Sequence, residues 1–273
     1  MFDLSIDYEY VTTRITNFIR WYVEKAGVRG AVIGLSGGID STVAAYLLVR
    51  ALGSEKVIGL ILPEKNSTPK EDVEDAVTVA KALGIEYKVI DITPIVESFL
   101  SVLPKADKIV IGNVKVRVRM VILYYHANMY NMLVAGTSDK SELLIGYFTK
   151  YGDGASDITP ISDLYKTQVR MLAKYLEVPE KIILKKSSPR LWPGHLAEEE
   201  IGLSYELLDQ ILYGLVDLRM DVEDVAKKLN IGRDLVARIR ERIIKNEHKR
   251  RGPMGIQVSG RGYGVGYRIP HLT

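Results

Sequence analysis

The chain has 273 residues, of which 47% are hydrophobic, 26% are charged and none is cysteine. This length and apolar content allow a full hydrophobic core, in one large domain or in a domain with an extension. The absence of cysteine excludes disulfides, thiolate metal sites and a cysteine nucleophile, and it fits a reducing compartment. The formal net charge of +3 is smaller than the clustered excess that is typical of a dedicated nucleic-acid binder.

Two further absences in the sequence bear on location. The sequence has no stretch of roughly 18 uninterrupted apolar residues, the length that a membrane-spanning helix needs. Its opening residues, Met1-Phe-Asp-Leu-Ser-Ile-Asp7, do not have the pattern of a secretory signal peptide. We therefore expect a soluble, cytoplasmic chain with no membrane partner.

Short apolar runs alternate with helical patterns through the first half of the chain. Strands are predicted where apolar residues run together, at 31–35, 56–62, 86–90 and 131–135. Helices are predicted where apolar residues recur at helical spacing, at 5–26, 40–53, 68–84, from 94 onward and at 112–128. For the third of these helices we predict Thr68 as N-cap, Pro69 at the first position and Glu71 as the capping-box acid.

This alternation predicts the fold class, which is α/β. Strands separated by helices at this spacing form a parallel sheet with helices on both faces. Ligands bind such sheets beyond the carboxyl ends of the strands, which here are the loops after Leu35, Leu62 and Ala135. We expect a single domain over residues 1–273, with an α/β core at about 28–184 and an extension of helices and loops at 185–273.

One of these loops has the pattern of a phosphate-binding site. Ser36-Gly-Gly-Ile-Asp-Ser41 follows a predicted strand and leads into a predicted helix. Its glycines let the backbone turn tightly and let a ligand approach it, and free N–H groups at a helix start attract anions. Asp40 places a carboxylate where a phosphate-bound Mg²⁺ would lie. The alternative interpretation is an ordinary strand–glycine–helix turn without a ligand.

This motif resembles the pyrophosphate loop of the ATP pyrophosphatase superfamily, which has the adenine nucleotide alpha hydrolase-like fold. The sequence has no Gly-x-x-x-x-Gly-Lys-Ser/Thr motif, so no lysine is placed at a γ-phosphate. The resemblance implies cleavage of ATP between the α- and β-phosphates. The expected reaction is therefore adenylation with release of pyrophosphate.

A second cluster of polar residues follows the strand that ends at Ala135. It begins with Gly136-Thr-Ser-Asp-Lys-Ser-Glu142 and continues through Gly146-Tyr-Phe-Thr-Lys-Tyr-Gly-Asp-Gly154 to Lys166. A solvated surface loop would also be rich in charge. The position at a strand end, next to the phosphate loop, favours a functional site.

The second cluster is similar to the motif of the ammonia-dependent NAD⁺ synthetases, and the similarity runs in the family's order from Gly34 to about Gly252. It passes through Gly112-Asn-Val-Lys-Val-Arg-Val-Arg-Met120, Leu191-Trp-Pro-Gly194 and His248-Lys-Arg250. The resemblance implies a ligase that adenylates the nicotinate carboxylate of deamido-NAD⁺ and lets ammonia displace AMP, the last step of NAD⁺ biosynthesis. It also implies a homodimer with the dinucleotide site near the interface.

The resemblance assigns roles to individual positions. Those implied to bind ATP are Gly34, Leu35, Ser36, Gly37, Gly38, Ile39, Asp40, Ser41, Thr137, Lys166 and Ser188. Those implied to bind Mg²⁺ are Asp40 and Glu142. Those implied to bind deamido-NAD⁺ are Arg117, Lys150, Asp157, His248 and Lys249. Asp40, Lys166 and Asp157 would act directly in catalysis, Lys166 by offsetting charge on the departing pyrophosphate.

Two assignments stay open at this point. Either Asp153 or Asp157 could accept the proton that ammonia loses. Arg119 is assigned less firmly than Arg117, because two residues further along a helix a side chain points elsewhere.

Four positions depart from the family pattern. The family often has proline where Ser187 stands, so the ATP role of Ser188 depends on one aligned hydroxyl. His195 and Ala197 stand where glutamine and aspartate are common, which puts in question how this loop closes over the substrate. Asp139 replaces an asparagine or small polar residue, with an effect that the sequence does not define.

Other functions fit the sequence less well. Residues 221–243 read locally like a DNA-binding helix-turn-helix, but a helical hairpin packed on the core is favoured, and we expect no nucleic-acid partner. The nearest enzymatic alternative is another member of the superfamily, such as a tRNA-thiolating or amide-forming ligase; thiolation usually needs cysteines, which this chain lacks. The length leaves no room for a glutaminase domain, so ammonia comes free or from a separate partner.

The candidate dimer interface is the apolar stretch 120–132, with Tyr124, Tyr125 and Tyr130.

Overall fold

The computed structural model of the chain describes residues 1–253, 255, 256 and 258, so the end of the predicted 185–273 extension lies outside the described residues. Four parallel strands form one sheet: β1 (Ala31–Gly34), β2 (Val57–Ile61), β3 (Glu86–Val89) and β4 (Leu133–Ala135). Their spatial order is β3-β2-β1-β4. In the register, Ala31 is paired with Val57 on one side and with Leu133 on the other. The predicted parallel α/β sheet is confirmed.

Helices connect the strands and continue beyond the last one. Those of the core are α1 (Tyr8–Ala26), α2 (Ile39–Leu52), α3 (Lys70–Ala82), α4 (Thr93–Val102), α5 (Lys108–Tyr130), α6 (Lys140–Ile145), α7 (Lys166–Tyr175) and α8 (Glu180–Ile183). Those of the extension are α9 (Ala197–Ile201), α10 (Tyr205–Leu212), α11 (Val222–Leu229), α12 (Arg233–Lys245) and α13 (Glu247–Arg250). A 3₁₀ turn, Ser54–Lys56, precedes β2, and a π-helical turn, Tyr213–Asp217, follows α10. No helix in the described ranges is long and apolar enough to cross a membrane.

Helices cover the sheet on both faces, as predicted. Ala31 and Ile33 of β1 belong to a core cluster formed with α1, α2, α3 and α7. Val32, which lies between them, belongs to a second cluster formed with α4 and α5. Successive side chains of a strand point to opposite faces, and all three are fully buried. The unbroken apolar run in β1 follows from burial on both sides.

A third core cluster joins the extension to the α/β core. Tyr205 of α10, Val225 of α11 and Val236 of α12 are fully buried together with Ile145 of α6 and with Tyr165, which precedes α7. The two helices of residues 221–243 are therefore a hairpin packed on the core, as the favoured interpretation predicts. This packing brings the extension against the helices that carry the second polar cluster.

The predicted starts of α3 and α5 are wrong. α3 begins at Lys70 with Pro69 as its N-cap, whereas Thr68 Oγ1 accepts a hydrogen bond from the Glu64 N–H at 3.0 Å and so closes the preceding loop. α5 begins before the predicted Gly112, because the Asp107 side chain caps it by accepting hydrogen bonds from two backbone N–H groups. In both places a local side-chain to backbone hydrogen bond decides where the helix starts.

The strand order places a binding crevice between β1 and β4. The connections from β1 lead through β2 to β3 on one side, while β4 lies on the other side. Open parallel sheets bind ligands at such a reversal, beyond the carboxyl ends of the two strands. The loops that leave β1 and β4 here are the phosphate loop and the second polar cluster.

Candidate active site

The phosphate loop lies between β1 and α2 and is held by its own hydroxyl groups. Ser36 Oγ lies 3.0 Å from Ser41 Oγ, and Ser41 Oγ donates to the Gly38 carbonyl at 3.1 Å. Thr42 Oγ1 donates to the same carbonyl at 2.9 Å. Gly38, which has no side chain, is the N-cap of α2. The first backbone N–H groups of this helix can therefore bind an anion.

Gly37 is the position of this loop that accepts only glycine. Its φ is +74°, and a Cβ atom there would lie 2.2 Å from the carbonyl oxygen of Asp72 in α3. The positive φ disfavours other residues, and the close approach leaves no space for a side chain. The start of α3 thus packs directly behind the loop.

A buried lysine lies beside the loop, among three carboxylates. Lys166 Nζ is 2.6 Å from Asp40 Oδ2, 2.8 Å from Asp139 Oδ2 and 3.0 Å from Glu142 Oε1. Lys166 and Asp139 are fully buried, whereas Asp40 and Glu142 keep about a fifth of their side chains exposed. The structure therefore brings together Asp40, Glu142 and Lys166, which α2, α6 and α7 carry, and it adds Asp139 to them.

The ionisation of this cluster follows from burial and mutual charge. Burial disfavours the charged ammonium of Lys166, but the three carboxylates outweigh it and raise the pKa of Lys166 well above its usual value. Burial raises the pKa of Asp139 to about 6. Desolvation and the neighbouring Asp139 raise the pKa of Glu142. Three acidic groups surround one ammonium, so the binding of a further cation would favour their ionised forms.

The donor set fits a hard divalent cation that shares its coordination with phosphate oxygens. Asp40 Oδ1 is a buried oxygen that has no hydrogen-bond partner in the described residues. Within the same ranges no group of three acidic or histidine side chains encloses a metal site by itself, and the Lys166 ammonium lies between the carboxylates instead. Two carboxylates with phosphate oxygens and water are a usual ligand set for Mg²⁺.

A buried aspartate of the extension orients Lys166. Asp209 of α10 accepts hydrogen bonds from Ser141 Oγ at 2.5 Å and from the Thr167 N–H at 2.8 Å. Ser141 Oγ in turn accepts one from the Lys166 N–H at 2.9 Å. These bonds satisfy the first N–H groups of α7 and fix the start of the helix that carries the lysine.

The loop and the carboxylates form one side of a cavity of about 480 Å³. Thr137, at the end of β4, and Ser188, in the loop after α8, lie in its wall together with Asp40 and Glu142. Lys166 lies beneath these two carboxylates, outside the wall. Thr137 and Ser188 are thus placed at the same cavity as the phosphate loop.

Only one of the five positions assigned to the dinucleotide lies in this cavity wall. Lys249 lines the cavity and donates from Nζ to the Gly146 carbonyl at 2.7 Å. Three of the others lie together on the surface: Arg117 donates to the Lys150 carbonyl at 3.2 Å, and Lys150 donates to the His248 carbonyl at 2.7 Å. The structure does not bring these three side chains to the cavity of its own chain.

Asp157 also lies outside the cavity wall, on the exposed side of β4. Its carboxylate accepts hydrogen bonds from the Val134 N–H at 2.7 Å and from Tyr124 Oη at 3.2 Å. Asp153 lies in the wall and accepts a hydrogen bond from the Thr149 N–H at 2.7 Å. Of the two candidate proton acceptors, Asp153 is therefore the one in contact with the cavity.

Arg119, and not Arg117, is the arginine of α5 that reaches the cavity. Its Nε donates to the Leu62 carbonyl at 2.9 Å, at the end of β2. Desolvation lowers the pKa of Arg119 to about 10, so the guanidinium keeps its charge at neutral pH. Arg117 and Arg119 point in different directions from the helix, as their spacing predicts. The side chain that points away from the cavity is that of Arg117.

The loop with the unusual His195 closes another part of the wall. His195 Nε2 lies 2.6 Å from Glu200 Oε2 and 3.2 Å from Tyr147 Oη, and its ring stacks on Trp192 with centroids 3.6 Å apart. Ser188 Oγ donates to the His195 carbonyl. The sequence singled out Ser188, Trp192 and His195, but their contacts with one another and with Glu200 form only in the folded chain.

Ala197, the other departure in this loop, is buried at the start of α9. Its N–H donates to the Ser187 carbonyl at 3.0 Å. A backbone contact therefore ties the two ends of the loop where the family commonly has an aspartate side chain.

A buried ion pair fixes the same loop from the opposite side. Lys115 Nζ lies 2.8 Å from Glu64 Oε2 and donates to the Leu191 carbonyl at 3.1 Å. Burial works against ionisation of Glu64, but hydrogen bonds from Lys115 and Ser67 outweigh it and hold the pKa of Glu64 below its usual value. The ion pair therefore stabilises the fold at pH values above 4.5, the pKa of Glu64 in the unfolded chain. This contribution is lost as the pH falls and Glu64 is protonated in the folded chain.

Replacing Lys115 by methionine (K115M) is expected to lower the free energy of unfolding by about 3–5 kcal/mol at pH 7, since Glu64 is left buried without its partner. The loss should shrink at acidic pH, where Glu64 takes up a proton. Denaturant unfolding at several pH values measures both effects. The double variant K115M/E64Q is the control and should recover part of the loss; a K115M chain as stable as wild type at pH 7 would contradict this account.

The chain is similar to known proteins over most of its length. The family model described as NAD synthase matches residues 11–253. The chain is 56% identical over 251 residues to the NH(3)-dependent NAD(+) synthetase of Hyperthermus butylicus, covering 92% of this chain and 91% of that protein.

Two solved structures are similar over nearly the whole chain. The NMN synthetase of Francisella tularensis has a TM-score of 0.80 and 36% identity, covering 92% of this chain and 99% of that one. The NH3-dependent NAD synthetase of Campylobacter jejuni has a TM-score of 0.78 and 33% identity, covering 93% and 100%.

The parallel sheet, the glycine loop at its reversal and the adjoining carboxylates define an ATP-dependent enzyme of the pyrophosphate-loop class. Within this class, the chain belongs to the NAD synthase family. It is a ligase that forms a carbon–nitrogen bond, the amidation of deamido-NAD⁺ to NAD⁺, with ATP as co-substrate.

Proposed function

We propose that this chain amidates deamido-NAD⁺ with free ammonia, using ATP and Mg²⁺, and that the cluster around Lys166 is the adenylation centre. The observation that carries this proposal is the contact of Lys166 Nζ with both Asp40 and Glu142 beside the phosphate loop. The ammonia dependence of the Hyperthermus butylicus and Campylobacter jejuni proteins supports the nitrogen source. We place the reaction in the cytoplasm, which the cysteine-free composition fits.

In the first step the chain orients ATP for attack by the nicotinate carboxylate. The N–H groups at the start of α2 and the hydroxyl groups of Ser36 and Ser41 bind the phosphates. Lys166 offsets the charge that develops on the departing pyrophosphate. A carboxylate is already nucleophilic, so this step depends on alignment and charge more than on proton transfer.

Asp40 and Glu142 would hold the Mg²⁺, whose chemistry when bound is to neutralise phosphate charge. Asp40 offers its unpaired Oδ1, and Glu142 is exposed toward the same cavity. Lys166 Nζ, within 3.0 Å of both carboxylates, holds them next to each other.

In the second step ammonia displaces AMP from the adenylated carboxylate and loses a proton. Asp153 lies in the cavity wall and Asp157 does not, so Asp153 is the acceptor that one chain can supply. Asp157, held by Val134 and Tyr124, belongs instead with the surface positions that we assign to the dinucleotide.

The positions assigned to the dinucleotide that lie on the surface, outside the cavity, suggest that the site is completed by a second copy of the chain. Arg117 lies on the exposed side of α5, and Val121, Tyr125 and Met129 follow it at helical spacing with exposures of 59%, 64% and 51%. An exposed apolar stripe of this kind is typical of a binding surface. We assign it to a second copy of the chain, so that Arg117, Lys150, Asp157 and His248 lie at the interface, where the dinucleotide binds.

Replacing Val121 by glutamate (V121E) is expected to convert the dimer to monomer and to raise the KM for deamido-NAD⁺ at least about tenfold, because an unpaired charge in an apolar interface is strongly unfavourable. Light scattering and steady-state kinetics measure the two effects. Tyr10→Glu, at a similarly exposed position of α1, is the matched control and should leave both unchanged. A wild-type chain that is monomeric at all concentrations would refute the dimer.

The function is tested with purified protein, ATP, Mg²⁺, ammonium and deamido-NAD⁺, while NAD⁺, AMP and pyrophosphate are quantified. We expect the three products in equal amounts. Nicotinate mononucleotide in place of deamido-NAD⁺, and glutamine in place of ammonium, should support much slower turnover. The absence of NAD⁺, or ADP in place of AMP, would refute the proposal, and preference for the mononucleotide would reassign the substrate.

A further inference from the structure

The Gly37 carbonyl, on the outer side of the phosphate loop, accepts a hydrogen bond from a distant part of the chain. Lys185, two residues after the end of α8, donates to it from Nζ at 3.0 Å. The lysine side chain is 15% exposed, so this contact is largely shielded from water. Lys185 is outside the set of residues to which the sequence or the resemblance assigned a role.

Two buried carboxylates of α3 hold the Lys185 ammonium in place. Asp72 Oδ1 lies 3.0 Å from Nζ, and Asp75 forms an ion pair with the same atom. Both carboxylates are less than a tenth exposed. Asp72 also accepts a hydrogen bond from Arg190 Nε at 2.7 Å. The position of the ammonium is therefore set by α3, against which Gly37 itself packs.

The geometry of the peptide unit gives this contact a consequence for the ligand side. The bond between Gly37 and Gly38 is trans, and in a trans peptide the C=O and N–H groups point in opposite directions. A carbonyl held outward by Lys185 therefore turns the Gly38 N–H inward. That N–H donates to Ser36 Oγ at 3.3 Å, which is a long bond that a phosphate oxygen can replace.

We propose that Lys185 is a positioning residue for ATP, which keeps the Gly38 N–H directed into the phosphate site by holding the other end of its peptide unit. This inference rests on the proposed function, in which the loop binds the ATP phosphates. Glycines at 37 and 38 allow this peptide to rotate, and the hydrogen bond from Lys185 restricts its orientation. A preset N–H group binds an oxyanion without reorganisation.

The test compares Lys185→Met with Lys181→Met in the full-length chain. Lys181 pairs with the same Asp75, at 2.8 Å, and with Glu71, at 3.1 Å, but it is 57% exposed and belongs to α8. K185M should raise the KM for ATP at least about tenfold, since hydrogen bonds that involve charged groups are the strong ones. K181M should leave it within about twofold of wild type, and both variants should keep the KM for deamido-NAD⁺ within the same range. Lys185→Arg should recover part of the ATP affinity.

The outcomes separate this inference from the proposed function. A wild-type chain that forms no NAD⁺ from ATP, ammonia and deamido-NAD⁺ overturns the proposed function. A wild-type chain that is active, with equal KM values for ATP in K185M and K181M, overturns only the role of Lys185. If circular dichroism shows that K185M is unfolded, K185M/D75N takes its place under the same criteria, because it also removes one of the two buried carboxylates that lose Lys185.

Discussion

Replacing Lys166 by methionine (K166M) should lower kcat by about 10²–10³-fold, the effect of removing one preorganised group that stabilises transition-state charge. Lys166 Nζ is the only ammonium that the structure places within 3.0 Å of both Asp40 and Glu142 among the described residues. Without it, the charge on the departing pyrophosphate loses a fixed cation beside the phosphate loop, and the carboxylates repel one another.

The same variant should be less stable, by about 3–5 kcal/mol at pH 7, because Asp139 is left buried beside two other carboxylates. Steady-state kinetics and denaturant unfolding measure the two effects separately. Lys140→Met is the matched control: Lys140 pairs with Asp217 at 2.8 Å, so its loss removes a nearby ion pair that does not touch the phosphate loop. K166M with near-normal kcat would remove Lys166 from the adenylation centre.

Replacing Asp40 by asparagine (D40N) is expected to lower kcat by about 10²–10³-fold and to raise the Mg²⁺ concentration needed for half-maximal rate, since an amide is a weaker ligand for a hard cation than a carboxylate. Asn has the shape of Asp, so the fold should be retained. Glu142→Gln should lower kcat and raise the Mg²⁺ requirement in the same way. It should also keep the fold, because glutamine can still complete the capping box that Glu142 forms with Asp139.

Magnesium titrations of the initial rate, with thermal unfolding as a check of the fold, measure these effects. Asp163→Asn is the control, because Asp163 is 94% exposed and pairs only with Lys140 in the described part of the chain. Wild-type rates and an unchanged magnesium requirement in D40N and E142Q would show that these carboxylates do not bind the cation.

Most of the fold could be predicted because it depends on patterns that are local in the sequence. The apolar run of β1 indicates a strand buried on both faces, and Gly27 ends α1 at φ +65°, a conformation that favours glycine. The predicted start of α3 was wrong because the Thr68 hydroxyl could accept a hydrogen bond either from the helix or from the loop before it. Thr68 has the residue type of an N-cap, yet its hydroxyl bonds the Glu64 N–H in the loop instead.

The sequence indicated the phosphate loop by its position between a strand and a helix, whereas the family resemblance implied Asp40 and Glu142 as the magnesium ligands. Parallel neighbouring strands bring their carboxyl ends to one edge, so Asp40 and Glu142 meet for topological reasons. The role of Asp139 could not be predicted. An aspartate there reads as a helix cap, and its contact with Lys166 depends on how α6 and α7 pack.

The residues alone were enough to indicate a phosphate loop, a parallel sheet and, through the family resemblance, the substrate. These conclusions need only neighbours in sequence or motifs in a known order. Which side chains face the cavity was decided by tertiary packing: Arg119 enters it and Arg117 does not. Lys185 reaches Gly37 across 148 residues, and no periodicity or spacing encodes that contact, because it exists only when α3 and the segment after α8 pack against the loop.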